Sequence, residues 1–259
     1  MLICTSSSDL LLLLGLLVVC RGLDMRDIGR DLARFTVHAQ ATTQVKAAVQ
    51  RAAIQEFISS RGITHLVHFT PVENLQSIAE ENCLLNRETL RTYSADGLVF
   101  PDKFRGDHAE WAICCSLQWP NYSMLWKKRH ILGVRFAVFI LKPSILWDYD
   151  CVFVEGNASR ADLRLRIPSL RQDKLNKLSH LKALYPDPDQ RPQRWRCYPS
   201  DIQAEVLVDA EYIDLEEYCS NIAFDSDRDL EAARNLPWSK QIKCIYLPSI
   251  FGRRPDITE

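Results

Sequence analysis

Glu205 stands in a run, residues 198–208 (YPSDIQAEVLV), that otherwise reads as a buried strand. Alternation along a strand puts Ile202, Ala204, Val206 and Val208 on one face and Gln203, Glu205 and Leu207 on the other. A carboxylate almost never sits fully buried without a partner. Glu205 therefore belongs either at a half-wet sheet edge or in a cleft that takes a ligand. An amide two residues ahead of a carboxylate suits a reaction whose transition state carries positive charge on a sugar. The carboxylate can hold a ribose hydroxyl and stabilise an oxocarbenium ion, while Gln203 positions the attacking nucleophile. Taken alone the pair is a weak signal, because Q-x-E also arises by chance in exposed strands.

Two other groups have suitable chemistry. In THLVHFT, residues 64–70, a histidine is more often a hydrogen-bonded core residue than a ligand. His68 and Thr70 nevertheless stand at a strand end that leads into Pro71 and a helix. There they could hold the ribose or amide of a nucleotide with no metal. Arg105, just ahead of the strand WAICCSL, could bind a diphosphate or a developing charge. The bland alternative is a surface arginine beside Asp102, Asp107 and Glu110. Trp119, Asn121, Tyr122, Trp126, Lys127, Lys128 and Arg129 interleave aromatic and basic side chains, which suits stacking on bases and holding phosphates. Core packing explains those aromatics equally well. No Gly-rich phosphate loop, dinucleotide fingerprint or Ser–His–Asp order is present.

Elements able to position these groups follow from periodicity. Apolar residues at helical spacing over 26–61 predict two amphipathic helices broken near Thr42 and Thr43. After the strand at 64–70, Pro71 opens a helix that ends at Asn82 in a left-handed cap. Further strands are predicted at 111–117, 134–141, CVFVEG, AEVLVDA and IKCIYLP, the second of these central because no polar residue interrupts it. Short strands with helices mostly in the first third indicate an α+β fold. Residues 157–198 form the long irregular piece, with a helix around 175–184. Between residues 160 and 196 it holds ten Lys or Arg against four Asp, while residues 201–235 hold eleven acids against two Arg. The formal net charge of −1 thus hides a basic arm beside Glu205. That arm is either a solvated flap or a phosphate-binding segment.

The chain has 259 residues, 47% of them hydrophobic and 25% charged, enough for a substantial core. Its nine cysteines make no C-x-x-C pair, and none lies in a Cys/His cluster with zinc spacing. The odd count is a poor disulfide framework, so reduced thiols in a cytoplasmic protein are expected. DLLLLLGLLVVC, residues 9–20, has the length of a signal peptide but lacks a positive n-region. Residues 1–24 are therefore read as an apolar leader or as an upstream start, with Met25 as the working start. Residues 25–62 are read as a helical extension and 63–259 as the main domain.

In order along the chain, GITHLVHFTPVENLQSIAEENCLL, AICCSLQWPNYSML, VEGNAS and DIQAEVLV resemble the DarT toxins, DNA ADP-ribosyltransferases. The resemblance covers roughly residues 63–208, and HFTPVENLQSI and QAEVLV carry it most strongly. It implies an ADP-ribosyltransferase-like split β-sheet with a long substrate-recognition loop, NAD as co-substrate and no metal. His68, Phe69, Thr70 and Asn74 match the family's NAD-binding strand and the Asn that follows it. Arg105 matches the active-site arginine, also toward NAD, and Tyr122 falls on the segment around nicotinamide. Asn157 begins the recognition loop, whose Arg160, Arg164 and Arg166 would hold the DNA strand along with Gln203. Glu205 matches the catalytic glutamate. Implied partners are single-stranded DNA and a cognate antitoxin of ADP-ribosylglycohydrolase or macrodomain type, with no membrane. An acceptor in RNA or protein, or an inactive nucleic-acid-binding module, is the alternative. The match departs from the family at Asn82, where Gly is common, and at SDIQAEVL, where TDPQAEVL is common.

Overall fold

The computed structural model describes residues 44–92, 100, 105–186 and 191–257. The chain divides into two compact units, Met1–Val49 and Gln50–Glu259. Of the first, only the helical residues 44–49 are described. The expected leader, the start at Met25 and the helix break at Thr42 and Thr43 lie outside the described residues.

The second unit opens with helix α1 (residues 50–61). The sequence placed this stretch in a separate extension, yet Ile54 and Ile58 are buried in the unit's main apolar cluster. The strands are β1 (Leu66–Pro71), β2 (Cys83–Leu85), β3 (Ala112–Leu117), β4 (Phe136–Leu141), β5 (Asp150–Val154), β6 (Glu205–Asp209), β7 (Tyr212–Asp214), β8 (Cys219–Phe224) and β9 (Lys243–Tyr246). Between them run α2 (Leu75–Glu81), α3 (Arg87–Thr92), α4 (Tyr122–Leu132), α5 (Ile145–Asp148) and α6 (Ala161–Arg164). Then come α7 (Ile167–Gln172), α8 (Lys177–Ala183), α9 (Leu215–Tyr218) and α10 (Asp227–Arg234). The class is α+β as expected, but helices continue well past the first third. Asn82 caps α2 in the left-handed region, with φ 51°.

Seven strands form one sheet in the order β5-β6-β3-β1-β4-β8-β9. All its pairs are antiparallel except β8–β9, and β2 and β7 pair separately. β4 is interior, as its unbroken apolar run requires. The decisive irregularity is between β1 and β3. These strands pair only at Leu66↔Leu117 and Val67↔Ser116, whereas β1 follows β4 from Leu66↔Leu141 to Pro71↔Phe136. Beyond Val67 the seam is open, so the sheet is split as the resemblance implied.

Packing follows the split. On one side a single apolar cluster spans both halves, from Phe153 and Val206 through Ile113 and Leu66 to Phe139 and Phe224. Elsewhere each half has its own cluster. Val152, Val154 and Leu207 pack with Leu163 of α6 and Ile167 of α7. Val67, Phe136 and Val138 pack with Leu125 of α4, Ile250 and Phe251. One shared core thus ties the halves together while the seam between them stays open.

The basic stretch is not an irregular flap. It folds as α6, α7 and α8, with Leu181, Leu184 and Tyr185 buried in the shared core. Its cations are largely answered by neighbouring acids: Arg160 by Asp162, Arg166 by Glu155, Arg171 by Asp209, Lys174 and Lys177 by Asp150, and Arg191 by Asp256. The local surplus read from composition is offset by carboxylates that the fold brings alongside.

Candidate active site

The open seam is part of a cleft of about 840 Å³. β1 contributes His68, Phe69 and Thr70, and the turn ahead of α2 contributes Asn74. Arg105 and Asp107 come from the turn before β3, Cys114 from β3, and Asn121 from the start of α4. Asn157, Gln203 and Glu205 complete the wall.

Glu205 is the first residue of β6, opposite Val154 of β5, and only 7% exposed. Of the two environments the sequence allowed, it occupies the cleft. Burial, and then the charge of Asp107, push its carboxyl up to about 8. Arg105, the backbone N–H of Ala158 and the Asn121 side chain act in the opposite sense. Glu205 is therefore mostly protonated at neutral pH, and positive charge developing beside it would favour its ionised form. Asn121 is 2% exposed and N-caps α4, its Oδ1 accepting from the Met124 N–H at 3.2 Å. Its Nδ2 is buried and makes no full hydrogen bond among the described residues, and it is this amide that faces the Glu205 carboxyl and favours its ionised form.

Across the seam, the His68 ring takes the place of a missing ladder bond: Nδ1 lies 2.7 Å from the carbonyl oxygen of Cys114. A carbonyl only accepts, so Nδ1 carries the proton and Nε2 is left as an acceptor. Burial lowers the pKa of His68 and the Arg105 charge adds to this, with the Cys114 carbonyl partly opposing; the ring is neutral. His65 is the structural histidine, its ring bonded to Thr64 Oγ1 and the Gln118 carbonyl. Asn74 Nδ2 donates to Thr70 Oγ1 at 3.2 Å, and the Phe69 ring meets Phe136 edge-on.

Arg105 is not a surface arginine. Its Nε donates to Asp107 Oδ1 at 2.9 Å and its Nη1 to the Ala112 carbonyl at 2.8 Å. Nη2 bonds both Asp107 Oδ2 and Cys114 Sγ. Burial opposes its charge, but Cys114, Asp107 and Glu205 more than offset that and hold its pKa above the ordinary value. Side-chain O and S atoms of Asp107, Cys114 and Glu205 lie within 4.8 Å of one another, and the Arg105 guanidinium bonds the first two.

The structure thus brings together His68, Phe69, Thr70, Asn74, Arg105, Asn157, Gln203 and Glu205. Gln203 is placed differently from expectation. It lies in a turn before β6, its N–H donating to Asp201 Oδ1 at 2.7 Å, rather than on a strand face beside Glu205. Four expected residues do not line the cleft. Tyr122 is the first residue of α4, and its neighbours Asn121, Ser123 and Met124 form the wall instead. Arg160, Arg164 and Arg166 lie in and around α6, where Arg160 and Arg166 meet Asp162 and Glu155, and Arg164 reaches the Gly106 carbonyl. Sequence reasoning had counted Asp107 only as a reason to doubt Arg105 and gave Cys114 no role.

The sequence profile described as "ssDNA thymidine ADP-ribosyltransferase, DarT" matches residues 67–236, well over half of the chain. The chain belongs to the DarT family. No curated protein sequence matches it. Among solved structures, Thermosipho africanus DarTG in complex with ADP-ribose is similar at 18% identity and a TM-score of 0.49. That match covers 73% of this chain, which spans about half (51%) of the DarTG chain. Thermus sp. 2.9 DarT in complex with ADP-ribosylated ssDNA is 14% identical with a TM-score of 0.49, covering 74% of this chain and 97% of that one. The same DarT in complex with NAD+ is 14% identical with a TM-score of 0.45, covering 73% and 98%. No described helix of this DarT-family chain is long and apolar enough to cross a membrane.

Proposed function

We propose that this DarT-family chain transfers ADP-ribose from NAD to a thymidine base of single-stranded DNA. The observation that supports this best is Glu205, buried where the split sheet opens and held protonated until a cationic centre meets it. His68, Phe69, Thr70 and Asn74 would hold NAD along β1, the neutral His68 accepting a hydrogen bond at Nε2. Glu205 would bind the hydroxyls of the nicotinamide ribose and stabilise the positive charge that develops there as nicotinamide leaves. Arg105, held as a guanidinium, would stabilise negative charge that develops at the acceptor base, and Gln203 would orient that base. Asn157 stands at the same mouth.

Such a reaction damages the DNA of its own cell. A cognate antitoxin of ADP-ribosylglycohydrolase or macrodomain type, removing the mark or blocking the cleft, therefore belongs with it. Solved relatives of this fold include chains named DarTG and DarT bound to ADP-ribose, NAD+ and ADP-ribosylated ssDNA.

The test is mass spectrometry of thymidine-rich and thymidine-free single-stranded oligonucleotides incubated with NAD and the full chain, with Glu205→Ala in parallel. One ADP-ribose added to the thymidine-rich strand, and absent with the variant, is the expected result. NAD consumed without any DNA adduct moves the acceptor to RNA or protein. No NAD turnover leaves a nucleic-acid-binding module.

A further inference from the structure

Arg105 can act only if something keeps it in place, and the turn that carries it supplies the means. Residues 105–109 fold back on themselves. The His108 N–H donates to the Arg105 carbonyl at 3.2 Å, and the Ala109 N–H donates to Asp107 Oδ1 at 3.1 Å. His108 takes a positive φ of 57°, a region that few non-glycine residues enter, histidine more readily than most. Asp107 Oδ1 thus receives both the turn's own backbone and the Arg105 Nε, while Oδ2 takes Nη2. A guanidinium has five N–H groups. Asp107 takes two, the Ala112 carbonyl one and Cys114 Sγ one, so among the described residues one on Nη1 stays open to a ligand. Side-chain exposure is 11% for Arg105 and 9% for Asp107, which makes this a buried ion pair rather than a solvated one.

We infer that Asp107 is a positioning residue for the transfer reaction: it fixes the plane of the Arg105 guanidinium and sets the charge that Glu205 feels. This rests on the reading that Arg105 and Glu205 act in ADP-ribose transfer. Asp107 need touch neither NAD nor DNA. Among the described residues, the charged and titratable groups that act on Glu205 are Asp107 and Arg105 from the turn and Cys114 from β3, with His68 of β1 beyond Cys114. Removing the Asp107 charge leaves Arg105 as the dominant ion, so the pH at which Glu205 ionises must fall.

Asp107→Asn keeps the shape, and its Oδ1 can still accept from Nε and from the Ala109 N–H. With saturating NAD and a thymidine-containing oligonucleotide, we expect single-turnover transfer to fall 10- to 100-fold with NAD affinity unchanged within threefold. The Glu205-dependent limb of the pH profile should move down by one pH unit or more. Asp107→Glu, which retains the charge, should leave that limb within half a pH unit of wild type and recover part of the rate. A merely structural aspartate would lower the unfolding midpoint without moving the limb, and that result would overturn the inference, as would wild-type transfer by Asp107→Asn. If Asp107→Asn does not fold, Asp107→Glu decides, because a limb moved by a charge-conserving change refutes the electrostatic role. Wild-type protein that modifies no DNA defeats the underlying reading instead, so the two failures are distinct.

Discussion

Replacing Glu205 by glutamine should abolish transfer and at the same time make the protein more stable at neutral pH. A glutamate that ionises at 4.5 when free is pushed to about 8 in the fold, by burial first and Asp107 second. A group whose folded pKa lies above its unfolded value binds more protons in the native state, so stability falls as pH rises between the two. Near pH 5 the cost of carrying Glu205 is about 1 kcal/mol or less, near pH 7 it is roughly 3 kcal/mol, and above pH 8 it levels off at roughly 4–5 kcal/mol. Glutamine keeps the volume, and its carbonyl oxygen can still accept from the Ala158 N–H. Urea unfolding at several pH values between 5 and 8 should therefore show Glu205→Gln gaining about 2–3 kcal/mol at pH 7 and under ~1 kcal/mol at pH 5. A stability difference that stays flat across this range, or a variant weaker than wild type at pH 7, would refute the account of Glu205 as a buried, proton-holding carboxyl.

Asn121→Ser leaves an oxygen to cap α4 but removes the unpaired amide. We expect a stability change within ~1 kcal/mol by thermal unfolding and a loss of transfer of at least tenfold by mass spectrometry. Gly106→Ala puts a Cβ 3.1 Å from the Ser159 Cβ, pressing the turn that holds Arg105 against the loop after β5. This should cost about 1 kcal/mol in urea unfolding and slow transfer severalfold. Because most cations of residues 160–191 are engaged by protein carboxylates, DNA binding between 50 and 200 mM salt should fall with a shallow log–log slope, about −2 to −3, in fluorescence anisotropy. A slope near −6 or steeper would mean that those ion pairs open to take phosphates.

The parts of this protein that were legible in the sequence are those fixed by local pattern. β4 declared itself by an unbroken apolar run, Asn82 by its place at a helix end, and Glu205 by the mismatch between a carboxylate and its apolar surroundings. What stayed hidden depends on long-range pairing. β8 carries Ser220 and Asn221 within its span, so it shows no clean alternation, yet it is an inner strand because β4 and β9 flank it. The strand register around Gln203 failed for a local reason, since Asp201 captures the Gln203 N–H and delays the strand to Glu205. Charge counting misjudged residues 157–198 because composition shows where cations occur in the chain, not which carboxylates fold back onto them. Asp107 went unrecognised for a different reason: two residues from an arginine in sequence it reads as a surface neighbour, and only burial makes the pair rigid.

The parting of β1 from β3 after Val67 has a further consequence, for how the molecule holds together when empty. A sheet that opens internally has two edges inside the protein, with backbone groups that have no ladder partner across the seam. Among the described residues, the two halves are joined there by the short pairing at Leu66 and Val67, by the bonds of Thr64 and His65 to Gln118 at its closed end, and across the opening by the His68 bond to the Cys114 carbonyl. Amides along this seam should exchange with solvent through local opening rather than global unfolding. A ligand that bridges the gap supplies the missing cross-links on the open side of the shared core, so hydrogen exchange in β1 and β3 should slow together on binding.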